Sequence, residues 1–361
     1  MSKMFGSSDI SHRPSSPSDF SGTSTDITKT SDCGQTTDMG SGVSDTAQIT
    51  HESLEQRLDD VIKTKAYVHW ETPEAKERNR AAIDNYDAKK RAVDKATLMT
   101  QRETLLRYRD CFDQDAIKRM WSELDSNKTE IYNEPYFKAE KAPGDGRYEV
   151  VGMRDVIDGK ICIRDCDNLD TIVHTATHET MHDLSFQGAT HDVSHLRAAD
   201  GEIVTTSHET HQSGLFNYEK TRTMFSDGTE SVVKRESGRS LNEGMTEMYT
   251  IEAMYARGEY PRFDSYTQEF GWAMRLREIV GEDVVAQAYF GGDVAQLEGR
   301  VNSMSPIDNA WAELNRAMDA YHEASASRPY DQERVNNTKS VVDAILDGMM
   351  GSKEYGSRRI R

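Results

Sequence analysis

The stretch Asp170-Thr171-Ile172-Val173-His174-Thr175-Ala176-Thr177-His178-Glu179-Thr180-Met181-His182-Asp183-Leu184-Ser185 decides how this chain is read. Its core is H-E-x-x-H, from His178 to His182. Residues four apart on a helix stand one turn apart on one face, so His178 and His182 can offer two imidazoles to a single ion. Glu179 then lies close enough to act on a water at that ion. At about 100° per residue, Thr171, His174, His182 and Ser185 fall within about 40° of His178. Ile172, Val173, Ala176 and Leu184 fall on the opposite side. Such a helix buries its back and turns its histidines to a cleft. Asp170 or Thr171 is the expected N-cap. The competing plain reading is a surface helix with scattered histidines.

Upstream, Pro135, Pro143, Gly144 and Gly146 interrupt helical periodicity. Tyr148–Met153 then reads as a strand, Asp158-Gly159 as a turn, and Lys160–Arg164 as a second strand leading to the motif helix. Downstream, Asp192–Asp200 is polar and expected to be loop. Ser213–Tyr218 and Ser231–Lys234 read as strands about a turn at Ser226-Asp227-Gly228. Leu241-Asn242-Glu243-Gly244-Met245-Thr246-Glu247-Met248-Tyr249 begins a helix expected to run to about Tyr255.

A small sheet feeding an H-E-x-x-H helix resembles the zincin metallopeptidases. Asn242-Glu243, with Glu247 four residues on, is similar to the second signature of the gluzincin branch, typified by thermolysin. The resemblance covers roughly residues 147–255 and is carried by the two short motifs. It implies an α+β, zincin-like fold that binds Zn2+ through His178, His182 and Glu243. It makes Glu179 the general base and gives Glu247 the task of orienting His178. The family usually has Asp where this chain has Glu247, and sixty residues lie between His182 and Glu243, far more than in thermolysin. The metzincin pattern fails, because Ser185 stands where its Gly is required and Gly188 where its third His is required. His191 and His195 could reach back only on a flexible segment. Glu243 sits at the start of a helix, a better-fixed position for a ligand. The implied activity is a zinc-dependent endopeptidase acting on a protein or peptide substrate. Its oxyanion would be stabilised by one of His208, His211, Tyr218, Tyr249 or Tyr255, among which the sequence does not choose.

Two other classes compete. Cys162-x3-Cys166, eleven residues, then His178-x3-His182 is close to the spacing of a structural two-Cys two-His zinc module. The intervening Asp167-Asn168-Leu169-Asp170 is acidic where a DNA-reading helix is basic, and the module leaves Glu179 and Glu243 unexplained. The plain reading of the two cysteines is a shared strand face, since residues four apart in a strand point to one side. The third class is a non-catalytic interaction protein on a zincin scaffold.

The flanks carry no chemistry. Residues 1–50 are rich in Ser, Thr, Asp and Gly and hold too few large apolar residues for a core, so a disordered leader is expected. Ser-rich starts of this kind resemble those of bacterial effectors delivered by specialised secretion machines. Residues 51–140 form an expected N-terminal helical region. Leu54, Leu58, Val61 and Ile62 make one stripe, Thr72-Pro73 a helix start, Glu77–Lys95 a solvated charged helix, and Leu105 to Leu124 a stronger apolar face. Residues 141–361 form the expected catalytic part, closed by a helical C-terminal subdomain. Its stripes are Phe270, Trp272, Leu276 and Ile279, then Ala310, Trp311, Leu314 and Met318, then Val342, Ile345, Leu346 and Met349. Gly281 is a C-cap candidate.

The chain has 361 residues and a formal charge of −18, which argues against a nucleic-acid partner. No apolar run approaches a membrane span, and no apolar segment after Met1 reads as a secretory signal. Four cysteines are too few for a disulfide scaffold. The expected location is therefore the cytoplasm, or outside the cell by export without a cleaved signal peptide.

Overall fold

The structure is a computed structural model that describes residues 49–64, 86–124, 128–138, 151–154, 160–197, 203–259, 261, 266–327 and 329–358. The proposed leader, the Thr72-Pro73 helix start and the Asp158-Gly159 turn lie outside them.

The architecture is α+β. Helix α1 (His51–Thr64) precedes α2 (Tyr86–Arg107) and α3 (Gln114–Glu123). A small sheet follows, with order β1-β3-β2: β1 (Thr129–Tyr132) pairs parallel with β3 (Ile161–Arg164), and β2 (Gly152–Arg154) pairs antiparallel with β3's other side. The central strand β3 is buried throughout. Ile161 and Ile163 pack with Ile131, with Ala92, Val93 and Ala96 of α2, and with Leu169, Ile172, Val173 and Ala176 of the next helix, α4 (Leu169–Leu184). Each fully buried isoleucine contributes roughly 1.5–3 kcal/mol. The apolar side read from the helical wheel is therefore the side that meets the sheet and α2. The N-cap is Asn168, whose side chain accepts the Thr171 N–H at 3.1 Å, ahead of the expected Asp170 or Thr171.

Between α4 and the next helix the chain builds a four-stranded antiparallel sheet in sequential order. Its strands are β4 (Gln187–Arg197), β5 (Ile203–Ser213), β6 (Phe216–Met224) and β7 (Glu230–Ser237). The expected loop at Asp192–Asp200 is instead mostly strand up to Arg197. Its polar residues lack the apolar alternation that marks a half-buried strand, because both faces of this sheet meet solvent over most of its length.

Helix α5 (Arg239–Ala256) returns from β7. Its first turn is capped from a distance: Asp319 accepts the N–H groups of Gly238 and Ser240 at 3.0 and 2.8 Å. Helices α6 (Thr267–Val280), α7 (Glu282–Gly291), α8 (Val294–Met304), α9 (Ala310–Ala326) and α10 (Gln332–Arg358) complete the chain. Gly281 ends α6 with φ of 106°, the C-terminal signal expected there. Trp272, Leu276, Ile279, Leu314, Met318, Ile345 and Leu346 share one core with Met181 and Leu184 of α4 and Met245 and Met248 of α5. Arg257, just past α5, donates to the hydroxyls of Thr100 at 2.8 Å and Thr177 at 3.0 Å, tying α2 and α4 to α5. No helix among the described residues is long and apolar enough to cross a membrane.

Candidate metal centre

Two helices bring the site together. His178 and His182 lie one turn apart on α4, with ring centroids 4.9 Å apart. Glu243, in the second turn of α5, faces them. Its Oε2 stands 3.3 Å from His178 Nε2 and 3.3 Å from His182 Nε2. Among the described residues these three form the one group whose ligand atoms all lie within 4.8 Å of one another. Two donors bound tetrahedrally to one ion at about 2.0–2.1 Å lie about 3.3–3.4 Å apart, so the Glu243 spacings are those of ligands sharing an ion.

The neighbours fix which nitrogen is available. Glu247, one turn along α5, places Oε2 3.0 Å from His178 Nδ1. With the Nδ1 proton donated there, Nε2 keeps its lone pair facing Glu243. Two lone-pair atoms that close need a cation or proton between them. Glu247 Oε1 also lies 3.0 Å from His174 Nε2. His182 Nδ1 is 3.3 Å from Thr246 Oγ1, which donates to the Asn242 carbonyl at 2.8 Å and lies 2.7 Å from the Tyr289 hydroxyl. Both imidazoles therefore have their Nδ1 engaged, the arrangement that orients a metal-binding histidine.

Electrostatics follow the same layout. Burial opposes charge on His178, but Glu243 and Glu247 overcome it and raise the ring to about 10. Burial likewise opposes charge on Glu243, yet His182 and His178 hold its carboxyl well below the ordinary range. Glu247, also buried, is held at about 2 by its bonds to His174 and His178. Glu179 behaves differently. Burial pushes its carboxyl up, against the pull of the two histidines and the Arg154 backbone N–H. A raised carboxyl holds a proton more readily than an ordinary one, as a group that takes and returns a proton must.

Close backbone approaches set these positions. A Cβ on Gly152 of β2 would lie 2.3 Å from Thr175 Cγ2 and 3.1 Å from Glu179 Oε1, so the strand must run directly over the α4 glutamate. The Arg154 side chain holds the strand there by donating to buried Asp183 at 2.8 Å. A Cβ on Gly244 would meet the Glu269 carbonyl at 2.5 Å, so α6 crosses α5 beside the ligand Glu243.

That crossing delivers Tyr266, which the sequence reading missed. Its ring stacks on His178 at 5.6 Å with 9° between planes, and on His322 at 6.1 Å. Glu269 holds His322 Nδ1 at 3.2 Å. The Tyr266 hydroxyl bonds to Glu243, whose charge, with burial and Glu179, holds the phenol well above its ordinary value. It is thus a protonated donor at neutral pH. Its φ of 52° is costly for a non-glycine residue, and such strain gathers at working sites. A single tyrosine before a helix leaves no sequence pattern. His174 was visible on the helical wheel, but its partnership with Glu247 was not.

None of the five oxyanion candidates read from sequence makes a hydrogen bond or ring contact with His178, His182 or Glu243 among the described residues. His208 bonds Thr221 on the sheet, His211 packs against Tyr218, Tyr249 is buried among Tyr108, Tyr289 and Phe290, and Tyr255 is exposed. The reading ranked residue types without knowing that residues 187–237 project as a sheet. His191 and His195 are exposed on β4. Cys162 is buried in β3, and Cys166 donates to the Asn168 carbonyl, so neither joins the ligand group. No family model, no curated protein and no solved structure matches the chain.

Proposed function

We propose that this protein is a zinc-dependent endopeptidase of gluzincin type, with Zn2+ held by His178, His182 and Glu243. The observation that carries the reading is the pair of 3.3 Å spacings from Glu243 to the two imidazoles, with Glu179 beside them. The α4 helix under a small sheet, with α5 crossing to supply the third donor, supports a zincin-like fold. Two nitrogens and one carboxylate leave a position for water. When bound, the ion lowers the pKa of that water and polarises a substrate carbonyl.

The chain's own residues do the rest. Glu179 takes a proton from the attacking water and returns it to the leaving amine, and its raised carboxyl suits both halves of that cycle. The Arg154 backbone N–H, on the strand that crosses α4, favours the ionised form of that carboxyl against its burial. Tyr266 offers its O–H to the oxygen on which charge develops. Thr246 and Glu247 hold the two imidazoles so that both Nε2 atoms converge. The decisive experiment is Glu179→Gln. It should retain about one zinc per chain and lower cleavage of an unfolded protein by about 10²–10⁴-fold. Undiminished cleavage by that variant would remove Glu179 from the mechanism.

A further inference from the structure

We infer that the outer edge of β4 docks the substrate: an extended polypeptide leaving the metal centre adds there as a fifth strand. The inference rests on the peptidase reading above.

The sheet is planted between the two ligand-bearing helices. Gln187 opens β4 five residues after His182, and Ser237 closes β7 six residues before Glu243. Its root is bonded to the site. The Gln187 side-chain amide donates to the His182 carbonyl and to Ser213 Oγ, both at 3.0 Å. Asn242 Oδ1 accepts the Leu215 N–H in the β5–β6 turn at 2.9 Å. Beyond this root no layer among the described residues covers either face. Both faces are mainly polar, with Thr190, Thr206, Thr210, Thr221 and Thr223 on one of them, and the exposed Val193, Ile203, Met224 and Val232 on the other are parted by polar and charged neighbours. Such faces give a globular partner little apolar surface to bury. The backbone at an edge remains as the recognition surface.

The two edges differ. In β7, Glu230, Lys234, Arg235 and Glu236 make half of an eight-residue strand charged, the usual protection against unwanted pairing. β4 has no proline, pairs with β5 through eleven residues without a bulge, and carries only Asp192 and Arg197 as charged groups. Its outward groups can be identified. The Gly214 N–H donates to the Phe186 carbonyl at 2.8 Å just before the Gln187–Ser213 couple, which sets the phase of the ladder and makes Gly188–Gln212 its first hydrogen-bonded pair. Such pairs alternate. Gly188, Thr190, Asp192, Ser194 and Leu196 therefore bond inward to β5, and Ala189, His191, Val193 and His195 aim N–H and C=O outward. The strand extends about 35 Å from the site, enough for some ten substrate residues. A main-chain dock of this kind grips an extended chain whatever its side chains, and holds it beside the residues that cut it.

The test uses the full-length, zinc-loaded protein with β-casein as the unfolded probe. After the cleaved bond is mapped, peptides of about six and about twenty residues spanning it are compared, the longer covering much of β4. Val193→Pro removes an outward N–H while keeping the β5 ladder, and an edge strand tolerates proline. His191→Pro does the same at a second position, and Val193→Ala keeps the N–H. Both proline variants should raise KM for the long peptide by about tenfold, with kcat and short-peptide cleavage unchanged. The alanine variant should match wild type on both. Equal cleavage of the long peptide by the folded proline variants, or equal losses on both peptides, would overturn the dock. A wild-type dimer that Val193→Pro splits without altering cleavage would give the edge to a second copy instead. If the zinc-loaded wild type cleaves neither casein nor peptide, the peptidase reading fails, and the dock with it.

Discussion

The α4–α5 pair and the β4–β7 sheet are both rich in histidine, yet only the helix pair gathers its histidines into a group that could hold a metal ion. The helices hold His174, His178 and His182; the sheet holds His191, His195, His208 and His211. On the helices the imidazoles converge on buried Glu247 and half-buried Glu243 and hold both carboxyls below their ordinary range. On the sheet they face solvent or threonine hydroxyls, as His195 does at Thr205 and His208 at Thr221. Ligation chemistry therefore comes from convergence and burial rather than from the number of histidines. A helix pair brings side chains from two directions to one point, whereas a flat sheet spreads them side by side.

The largest effect that would break this comparison is at Glu243. Glu243→Ala should cost more than 10²-fold in zinc affinity, because two imidazoles alone leave the ion underheld. His191→Ala and His195→Ala should leave affinity within about twofold, as expected for surface positions away from the ligands. A competitive zinc titration reads all three, and the reverse order would move the centre to the sheet. Next comes Tyr266→Phe. It should lower kcat by about 10²–10³-fold with zinc affinity unchanged, if the hydroxyl acts on the developing charge. A loss confined to metal binding would make it only a brace for Glu243.

Glu247→Ala should follow, weakening zinc binding by about 10–100-fold through the loss of the His178 Nδ1 partner. His174→Ala should do less, since it removes a second partner of Glu247 and leaves the bond to His178 in place. Calorimetric titration of the two variants would show whether that order holds.

The α4 motif was legible because its chemistry is local: four-residue spacing sets a face, and apolar residues opposite set the buried side. Glu243 and Glu247 were picked out by the resemblance of their short motif to a second family signature, and the structure sets both beside His178. Tyr266, Thr246 and Arg154 were not. Their roles exist only after α6 crosses α5 at Gly244 and β2 crosses α4 at Gly152, and a sequence pattern holds no record of such crossings. The sheet was half-legible. Strand detection relies on one buried face, and β4 through Asp192 and Ser194 has none.

A smaller effect separates carboxylates buried with histidine from one buried without it. Glu103, near Arg257 at 3.7 Å, is raised to about 7, mainly by burial. A folded-state value above the ordinary one means the stabilisation is full below about pH 4.5 and is lost as pH rises through about 7. Glu103→Gln stays neutral throughout. It should raise the Tm by about 2–4 °C at pH 8 and leave it unchanged at pH 5. A thermal scan with equal gains at both pH values would show that the carboxylate is already ionised at pH 5, against its raised value. The smallest effects belong to the sheet: Val233→Thr or Thr223→Ser should shift stability by no more than about 0.5 kcal/mol.

The central claim is that one zinc sits between His178, His182 and Glu243, and X-ray absorption at the zinc edge on protein loaded with one equivalent tests it most directly. The account predicts a shell of nitrogen and oxygen donors at about 2.0–2.2 Å with two imidazole signatures and no sulfur; a sulfur shell at about 2.3 Å would place Cys162 and Cys166 on the ion and contradict it.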